Sequence, residues 1–190
     1  MQVRPKHGRR VLPCRDFWCI IGTTFNCANI PLDPNAHPMT DTPISWDQPD
    51  PFILPLAAKE NDIDGLNHTN NAVYVRWCEE GGWAHSIALG LSLDDYRRLD
   101  RAMAIRRAEY DYLLPTFCNE RLLLGTWLMP GDSAASMRRQ FQLVRESDRC
   151  TVLRASWELV CIELSSGRPR RLPPEFSAVY LAAMQRPVAS

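Results

Sequence analysis

The run Asp62-Ile63-Asp64-Gly65-Leu66-Asn67-His68-Thr69-Asn70-Asn71-Ala72-Val73-Tyr74-Val75-Arg76-Trp77 sets a polar, acidic bend directly ahead of a segment that stays free of proline to Leu89. Within that segment Val73, Trp77, Ala84 and Ala88 recur at helical spacing, with Tyr74 and Cys78 beside the stripe. One long helix is therefore expected over 70–89, ending near Gly90. The pair Gly81-Gly82 would weaken an exposed helix by about 1 kcal/mol per glycine, and is tolerable where a sheet packs closely over that point. First-turn N–H groups of a helix lack internal partners and carry positive potential, which suits a developing oxyanion. Asp64 lies six residues before Asn70, near enough for the bend to fold its carboxylate back beside the helix start. A carboxylate next to an oxyanion site is the minimum equipment for acyl transfer. The same residues also have a plain structural reading: Asp62 and Asp64 as turn formers, Asn70 as N-cap, His68 bonding a loop carbonyl.

Outward from this run, Phe52 to Ala58 reads as a short strand. After a polar turn (Ser92 to Asp100) come four strand-like runs: Met103 to Leu113, Glu120 to Met129, Ser136 to Arg145 and Thr151 to Glu163. Breaks at Pro115, Pro130-Gly131-Asp132 and Ser147-Asp148-Arg149 are placed as in a meander. Polar and apolar residues alternate in the last two runs, which marks strands with one covered and one wet face. Pro173-Pro174-Glu175 opens a final short helix to about Met184. A sheet with one greasy face and a helix with an apolar surface bury each other. The fold class is therefore α+β, a single hotdog domain in which a curved antiparallel sheet of about five strands wraps a long central helix. Edge-to-edge pairing of two sheets is the expected remedy for exposed strand edges, giving a homodimer or homotetramer.

The chain has 190 residues, 22 basic and 22 acidic, and no net charge. That balance argues against nucleic acid as a partner, and no apolar run approaches a membrane span. Seven cysteines at scattered spacing, with no CxxC pair or Cys/His cluster, point to free thiols in a reducing cytoplasm and to no bound metal or other cofactor. Nine of fifteen prolines fall in the first 55 residues, so residues 1–44 read as a flexible extension ahead of a domain at 45–186. Met39 opens the orderly part of the chain, and residues 1–38 are read as a loose lead-in from an upstream translation start.

The bend resembles the D-x-D-x-x-G-H-V-N-N-x-x-Y signature of the 4-hydroxybenzoyl-CoA thioesterase-like hotdog family, matched by Asp62, Asp64, His68, Asn70, Asn71 and Tyr74. It is also similar to a D-x-N-x-H stretch of plant acyl-ACP thioesterases. A second stretch, Ser166-Gly167-Arg168-Pro169-Arg170-Arg171-Leu172-Pro173-Pro174-Glu175, resembles the T-G-R-P-x-x-L-P tail of bacterial members. The resemblance implies that Asp64 is the catalytic carboxylate, as nucleophile or as general base, and that the backbone N–H of Asn71 helps hold the oxyanion. His68 is grouped with Asp64 and Asn71 in the catalytic set and Asn70 and Tyr74 with the substrate-binding residues, His68 and Asn70 acting more through positioning of the loop than through chemistry. Two departures stand out: Asn67 replaces the usual glycine and Thr69 the usual valine. If position 67 needs φ > 0, Asn is the next most tolerant residue.

The expected function is hydrolysis of an acyl-CoA or acyl carrier protein thioester. Arg168, Arg170 and Arg171, with Arg106-Arg107 and Arg138-Arg139, are candidates to grip carrier phosphates, or else charges that guard strand edges. Trp77, Trp83, Trp127 and Phe141 are candidates for an apolar lining, although each is first a core candidate. Glu79 and Glu80 are read as facing solvent or an interface. The competing reading is a non-catalytic hotdog that binds acyl thioesters or serves as an assembly subunit. A Ser-His-Asp hydrolase is disfavoured because the chain has no G-x-S-x-G elbow. Mass spectrometry of the native protein is expected to find its N-terminus at Met39, or a protease-sensitive tail ahead of it. An intact N-terminus at Met1 with a protease-resistant tail is the contrary result.

Overall fold

The computed structural model describes residues 43–184. Residues 1–42 of the expected extension, and the last two residues of the expected 45–186 domain, lie outside the described residues. The elements run β1 (Phe52–Ala57), a 3-10 turn (Glu60–Asp62), α1 (Asn71–Ala88), α2 (Leu93–Arg98), β2 (Arg101–Tyr112), β3 (Arg121–Pro130), β4 (Ser136–Arg145), β5 (Thr151–Glu163) and α3 (Pro174–Met184). This is the α+β hotdog arrangement, one five-stranded antiparallel sheet with α1 against it.

Two expectations about the elements and their order need correction. The polar stretch 92–100 is not simply a turn, because Leu93–Arg98 forms α2. A capping box starts it: the Ser92 hydroxyl accepts the Asp95 N–H and the Asp95 carboxylate accepts the Ser92 N–H. The strands also do not form a simple meander. Their order is β1-β3-β4-β5-β2, with β2 paired to β5 and the β2–β3 connection crossing from the β2 edge of the sheet to the strand beside β1. That connection is tied at both sides of its path. Leu113 and Leu114 donate their N–H groups to the carbonyl of Val152, and Asn119 donates to that of Ala58.

Alternation along β3, β4 and β5 directs Leu122, Leu124, Phe141, Leu143, Leu153 and Trp157 to one face, where they are buried with Val73, Tyr74, Trp77 and Cys78 of α1. The glycine pair makes the close contact. A Cβ on Gly81 would meet Leu124 Cδ2 at 2.7 Å, and one on Gly82 would touch the Trp157 ring at 3.4 Å. Phe176 and Tyr180 of α3 close the far end of the core, Tyr180 bonding both Ser86 and Tyr96. Arg139, expected in a surface pair with Arg138, faces inward instead. Its guanidinium reaches His85 Nδ1 (3.0 Å), Thr126 Oγ1 (3.3 Å) and Ser86 Oγ (3.5 Å), and burial pushes its pKa down to about 10.

The opposite face of the sheet is not left wet along its length, as the alternation suggested. Residues 45–49 lie across it as a strap. Trp46 sits over Gly125, where a Cβ would meet its ring at 2.6 Å, and packs edge-on against Trp127. Trp127 therefore serves this outer face and not a lining beside α1, its indole N–H donating to the Pro49 carbonyl. Gln142, fully buried, accepts the Asp47 N–H (2.7 Å) and donates to the Ser45 carbonyl (3.1 Å) and Thr151 Oγ1 (2.8 Å). Arg154 closes the strap with two bonds to the Asp47 carboxylate. Replacing Gln142 by Leu strands the Asp47 N–H and the Ser45 carbonyl together. Such burial of unpaired groups costs about 1–3 kcal/mol, which chemical denaturation of Gln142→Leu is expected to show as a lowered midpoint.

Candidate active site

The bend ahead of α1 is a miniature hairpin. Ile63 and Thr69 form an isolated antiparallel bridge, and the Asp64 N–H donates to the His68 carbonyl at 2.8 Å. The turn closes through Asn67, whose N–H donates to the Asp64 carbonyl and whose φ is 62°. Asparagine enters that left-handed region more readily than most residues, so Asn67 in place of glycine preserves the turn. Inside it, Asp64 Oδ1 accepts the N–H of Leu66 (2.8 Å) and of His68 (3.4 Å). These bonds engage one carboxylate oxygen; Oδ2 has no such bond among the described residues.

Asn70 is the N-cap of α1, its side-chain oxygen accepting the Ala72 N–H at 2.9 Å, and its own N–H donates to the Asp62 carbonyl. The Val73 N–H goes to the Asn70 carbonyl. Among the described residues, the N–H of Asn71, the first helical residue, has no acceptor, and Asn71 is exposed. His68 contributes to the bend through its backbone, while its ring rests edge-on against Phe117 at 5.3 Å.

The two aspartates have different duties. Asp62 is buried and structural: its carboxylate accepts Arg76 Nη2 at 2.6 Å and the Lys59 N–H at 2.9 Å. Burial by itself raises the Asp62 pKa, but the Arg76 hydrogen bond, the Lys59 N–H and the Arg76 charge outweigh it and leave the pKa below its ordinary value. Arg76 also lies 3.5 Å from exposed Glu80. Beside this ion pair an open depression of about 430 Å³ is lined by Pro55, Leu56, Lys59, Arg76, Trp77 and Arg121, among others.

Three further residues hold the helix start and were not singled out from the sequence. Thr116, fully buried in the crossover, shares a 2.7 Å bond with Thr69 Oγ1 and a 2.8 Å bond with the Tyr74 hydroxyl, while its carbonyl accepts the Thr69 N–H. Tyr112, at the end of β2, donates its hydroxyl to the Asn71 carbonyl at 3.3 Å. Phe117 backs His68. The one signal for them was Pro115, which marked a break but not where the chain went after it.

Other expected site residues fall elsewhere. Tyr74 is buried with both hydroxyl partners inside the protein, and burial raises its pKa. Tyr74 is thus a core residue and not an exposed substrate contact. Trp77 is buried and is among the residues lining the depression. Phe141 is core, and Trp83 is over a third exposed. Arg168 and Arg170 follow the end of β5, where Arg170 lies against Glu163 and Glu163 pairs with Arg101. That is the far end of the β2–β5 ladder from Tyr112, roughly 35 Å away at about 3.4 Å per residue. A single chain therefore does not bring Arg168 and Arg170 to Asp64. Among the described residues no three His, Cys, Asp or Glu side chains are grouped to hold a metal ion, and no helix is long and apolar enough to cross a membrane.

The model of the thioesterase-like superfamily matches residues 59–180, which include the bend, α1 and the whole sheet except β1. An acyl-acyl carrier protein thioesterase (ATL3, chloroplastic) of Arabidopsis thaliana is 22% identical over 126 residues, covering 66% of this chain and 65% of that protein. The chain thus matches just under two thirds of the length of that relative. Among solved structures, a 1,4-dihydroxy-2-naphthoyl-CoA thioesterase from Synechocystis superposes with a TM-score of 0.64 at 22% identity, covering 73% of this chain and 100% of that one. The protein SAV2348 of Staphylococcus aureus, solved in complex with CoA, gives 0.67 at 16% identity, covering 77% and 92%. These likenesses establish the fold.

The ionised Asp62 contributes stability that is present above the ordinary aspartate pKa of about 3.9 and is lost as pH falls through its lower folded value. Denaturant midpoints followed from pH 6 downward are expected to show that loss in the wild type. In Asp62→Asn the same decline is expected to be shallower, from a lower starting stability.

Proposed function

The chain belongs to the thioesterase-like superfamily, and we propose that it is a thioester hydrolase that cleaves an acyl thioester of CoA or of an acyl carrier protein, with Asp64 as the reacting carboxylate. The observation that carries the reading is the turn itself. Its backbone bonds engage only Oδ1 of Asp64, a few residues ahead of a helix whose first N–H, that of Asn71, has no acceptor among the described residues. A thioester carbonyl whose oxygen accepts that N–H gains stabilisation as its charge develops, from a donor held by the Asn70 cap and by Tyr112. Asp64 can then act in either of two ways. As nucleophile, its free oxygen adds to the carbonyl, the C–S bond breaks, the thiolate departs, and water hydrolyses the resulting anhydride. As general base, it takes a proton from water as the hydroxide adds, and collapse of the tetrahedral intermediate expels the thiolate. His68 and Asn70 position the loop, by backbone and by cap respectively.

The protein works as a soluble cytoplasmic homo-oligomer whose substrate is an acyl-CoA or acyl carrier protein, with no cofactor, nucleic acid or membrane partner. The N-terminal extension precedes the catalytic domain and takes no part in the chemistry. The alternative is a hotdog that binds acyl thioesters without turnover. A pure binder has no use for a carboxylate close to an anionic ligand, and this favours hydrolysis. A thiol-release assay across acyl-CoA chain lengths and acyl carriers tests both. Asp64→Asn is expected to lose about 10²–10⁴-fold in kcat, the usual contribution of a positioned base, with fold and most ligand affinity kept. Wild-type protein that binds acyl-CoA without releasing thiol on any substrate establishes the binding reading instead.

A further inference from the structure

Residues 113–120, which join β2 to β3, belong to no helix or strand. Their middle nevertheless holds the bend. The Thr116 carbonyl accepts both the N–H (2.9 Å) and the hydroxyl (3.1 Å) of Thr69, and the Thr116 N–H donates to the Tyr74 hydroxyl at 3.2 Å. The Phe117 ring lies against that of His68. Thr69 is bridged to Ile63, the residue before Asp64. The place of Asp64 relative to the Asn71 N–H thus depends on a segment without a ladder of its own. Such a segment keeps its position only through bonds that other elements supply.

Arg145, the last residue of β4, supplies them. Its side chain is only 14% exposed, and each of its three guanidinium nitrogens meets a different segment. Nη2 donates to the Pro115 carbonyl at 2.6 Å, Nε to Glu120 Oε2 at 3.1 Å and Nη1 to Asp148 Oδ2 at 2.8 Å. Pro115 has no N–H, so that carbonyl is its one main-chain group able to hydrogen-bond. Glu120 Oε2 accepts the Phe117 N–H as well (3.2 Å), while the Glu120 N–H donates to the Phe117 carbonyl (3.1 Å). Arg145 therefore holds the crossover on both sides of Thr116 and Phe117, directly before them and through Glu120 after them. Its own backbone is fixed in the sheet, opposite Leu122 of β3 and bonded through its N–H to the Cys150 carbonyl.

We propose that Arg145 is a positioning residue for the hydrolysis, holding the crossover so that the bend keeps Asp64 aligned with the Asn71 N–H. This rests on the hydrolase reading above. Arg145 acts through Thr116 and Phe117 and not on the reacting atoms. A planar guanidinium fork reaches three segments at once, whereas the single ammonium of a lysine is a point donor. Lysine at this position keeps the charge beside Glu120 and gives up the bond to Pro115. Residues 115–117 then gain freedom, and the bonds from Thr116 to Thr69 loosen. The Asn70 cap and the bond from the Asn70 N–H to the Asp62 carbonyl lie outside this path, so the helix start survives and the fault is one of alignment.

Arg145→Lys in the full chain is expected to lose about 10- to 100-fold in kcat, the scale of a displacement of about 1 Å, with KM within about twofold of the wild type. Gln142→Leu, which weakens the strap on the opposite face of the sheet, separates alignment from stability. Assayed well below every unfolding midpoint, Gln142→Leu is expected to keep the wild-type kcat. Glu120→Ala removes the acceptor that Arg145 and Phe117 share. It is expected to act in the same direction by less, and it decides the matter if Arg145→Lys does not fold. Wild-type kcat in the deciding variant, or a loss in Gln142→Leu as large as in that variant, overturns the proposal.

Amide hydrogen exchange reads the alignment without turnover. The Thr69 N–H donates to the Thr116 carbonyl, and the Asp47 N–H of the strap to Gln142. In Arg145→Lys the Thr69 amide is expected to exchange about tenfold faster, the scale of one lost hydrogen bond, with Asp47 unchanged. In Gln142→Leu the order reverses. Unchanged protection at Thr69 in Arg145→Lys, or in Glu120→Ala should the first variant not fold, overturns the positioning role whatever the kinetics show. If the wild type releases no thiol on any acyl-CoA or acyl carrier, the hydrolase reading fails and takes the catalytic part of the proposal with it. Faster exchange at Thr69 then still shows that Arg145 holds the bend, so the two failures are told apart.

Discussion

At Gly81 and Gly82 the backbone of α1 comes against Leu124 and Trp157 with no side chain between them. A single helix can be taken into the curl of a single sheet only if that distance is short, because the sheet must still reach around both flanks of the helix. The contact sets the depth of α1, and its depth sets where its first turn emerges. Thr116 then pins that emergence by bonding Thr69 and Tyr74 together. The bend is thus located by packing well further along the helix, and by a crossover strung from the β2 edge to the strand beside β1.

The bend itself shows how a short sequence divides its structural duties. Asn70 and Asp62 behave as ordinary loop chemistry would have them, one capping a helix and the other neutralising an arginine. Asp64 has a structural duty as well, since one of its oxygens organises the turn. Holding a carboxylate through one oxygen limits its freedom to rotate while its other oxygen remains available. In the proposed reaction that is a form of preorganisation, because rotational freedom already removed does not have to be removed again on binding.

Most of the fold was legible because its signals are local. Strand periodicity, the proline-free stripe of α1 and the Pro173-Pro174 start of α3 each concern residues within a few positions of one another. Strand order is not local: nothing in β2 states that its neighbour is β5 and not β3, and with the order went Thr116, Tyr112 and Phe117, whose importance depends on where the crossover passes. The strap escaped notice for a similar reason. Trp46 and Gln142 are far apart in the chain, and an alternating strand looks the same whether its outer face meets water or a tryptophan. Arg139 reads as a surface charge until its strand is given a face. At the bend the signature picked out Asp64, but spacing alone could not separate its role from that of Asp62, because that difference lies in Arg76, a full helical turn inside α1.

Gln142 gives the strap a polarity as well as a place. Its oxygen meets a main-chain donor and its nitrogen a main-chain acceptor two residues earlier, so the amide reads the strap like a key cut on both edges. Sliding the strap by one residue would turn that match into a mismatch on both sides. The lead-in to β1 is therefore indexed to the middle of the sheet. Cargo fused ahead of Ser45 leaves the index intact, but a single residue inserted between Asp47 and Phe52 has to bulge outward, because neither end of that short span is free to shift.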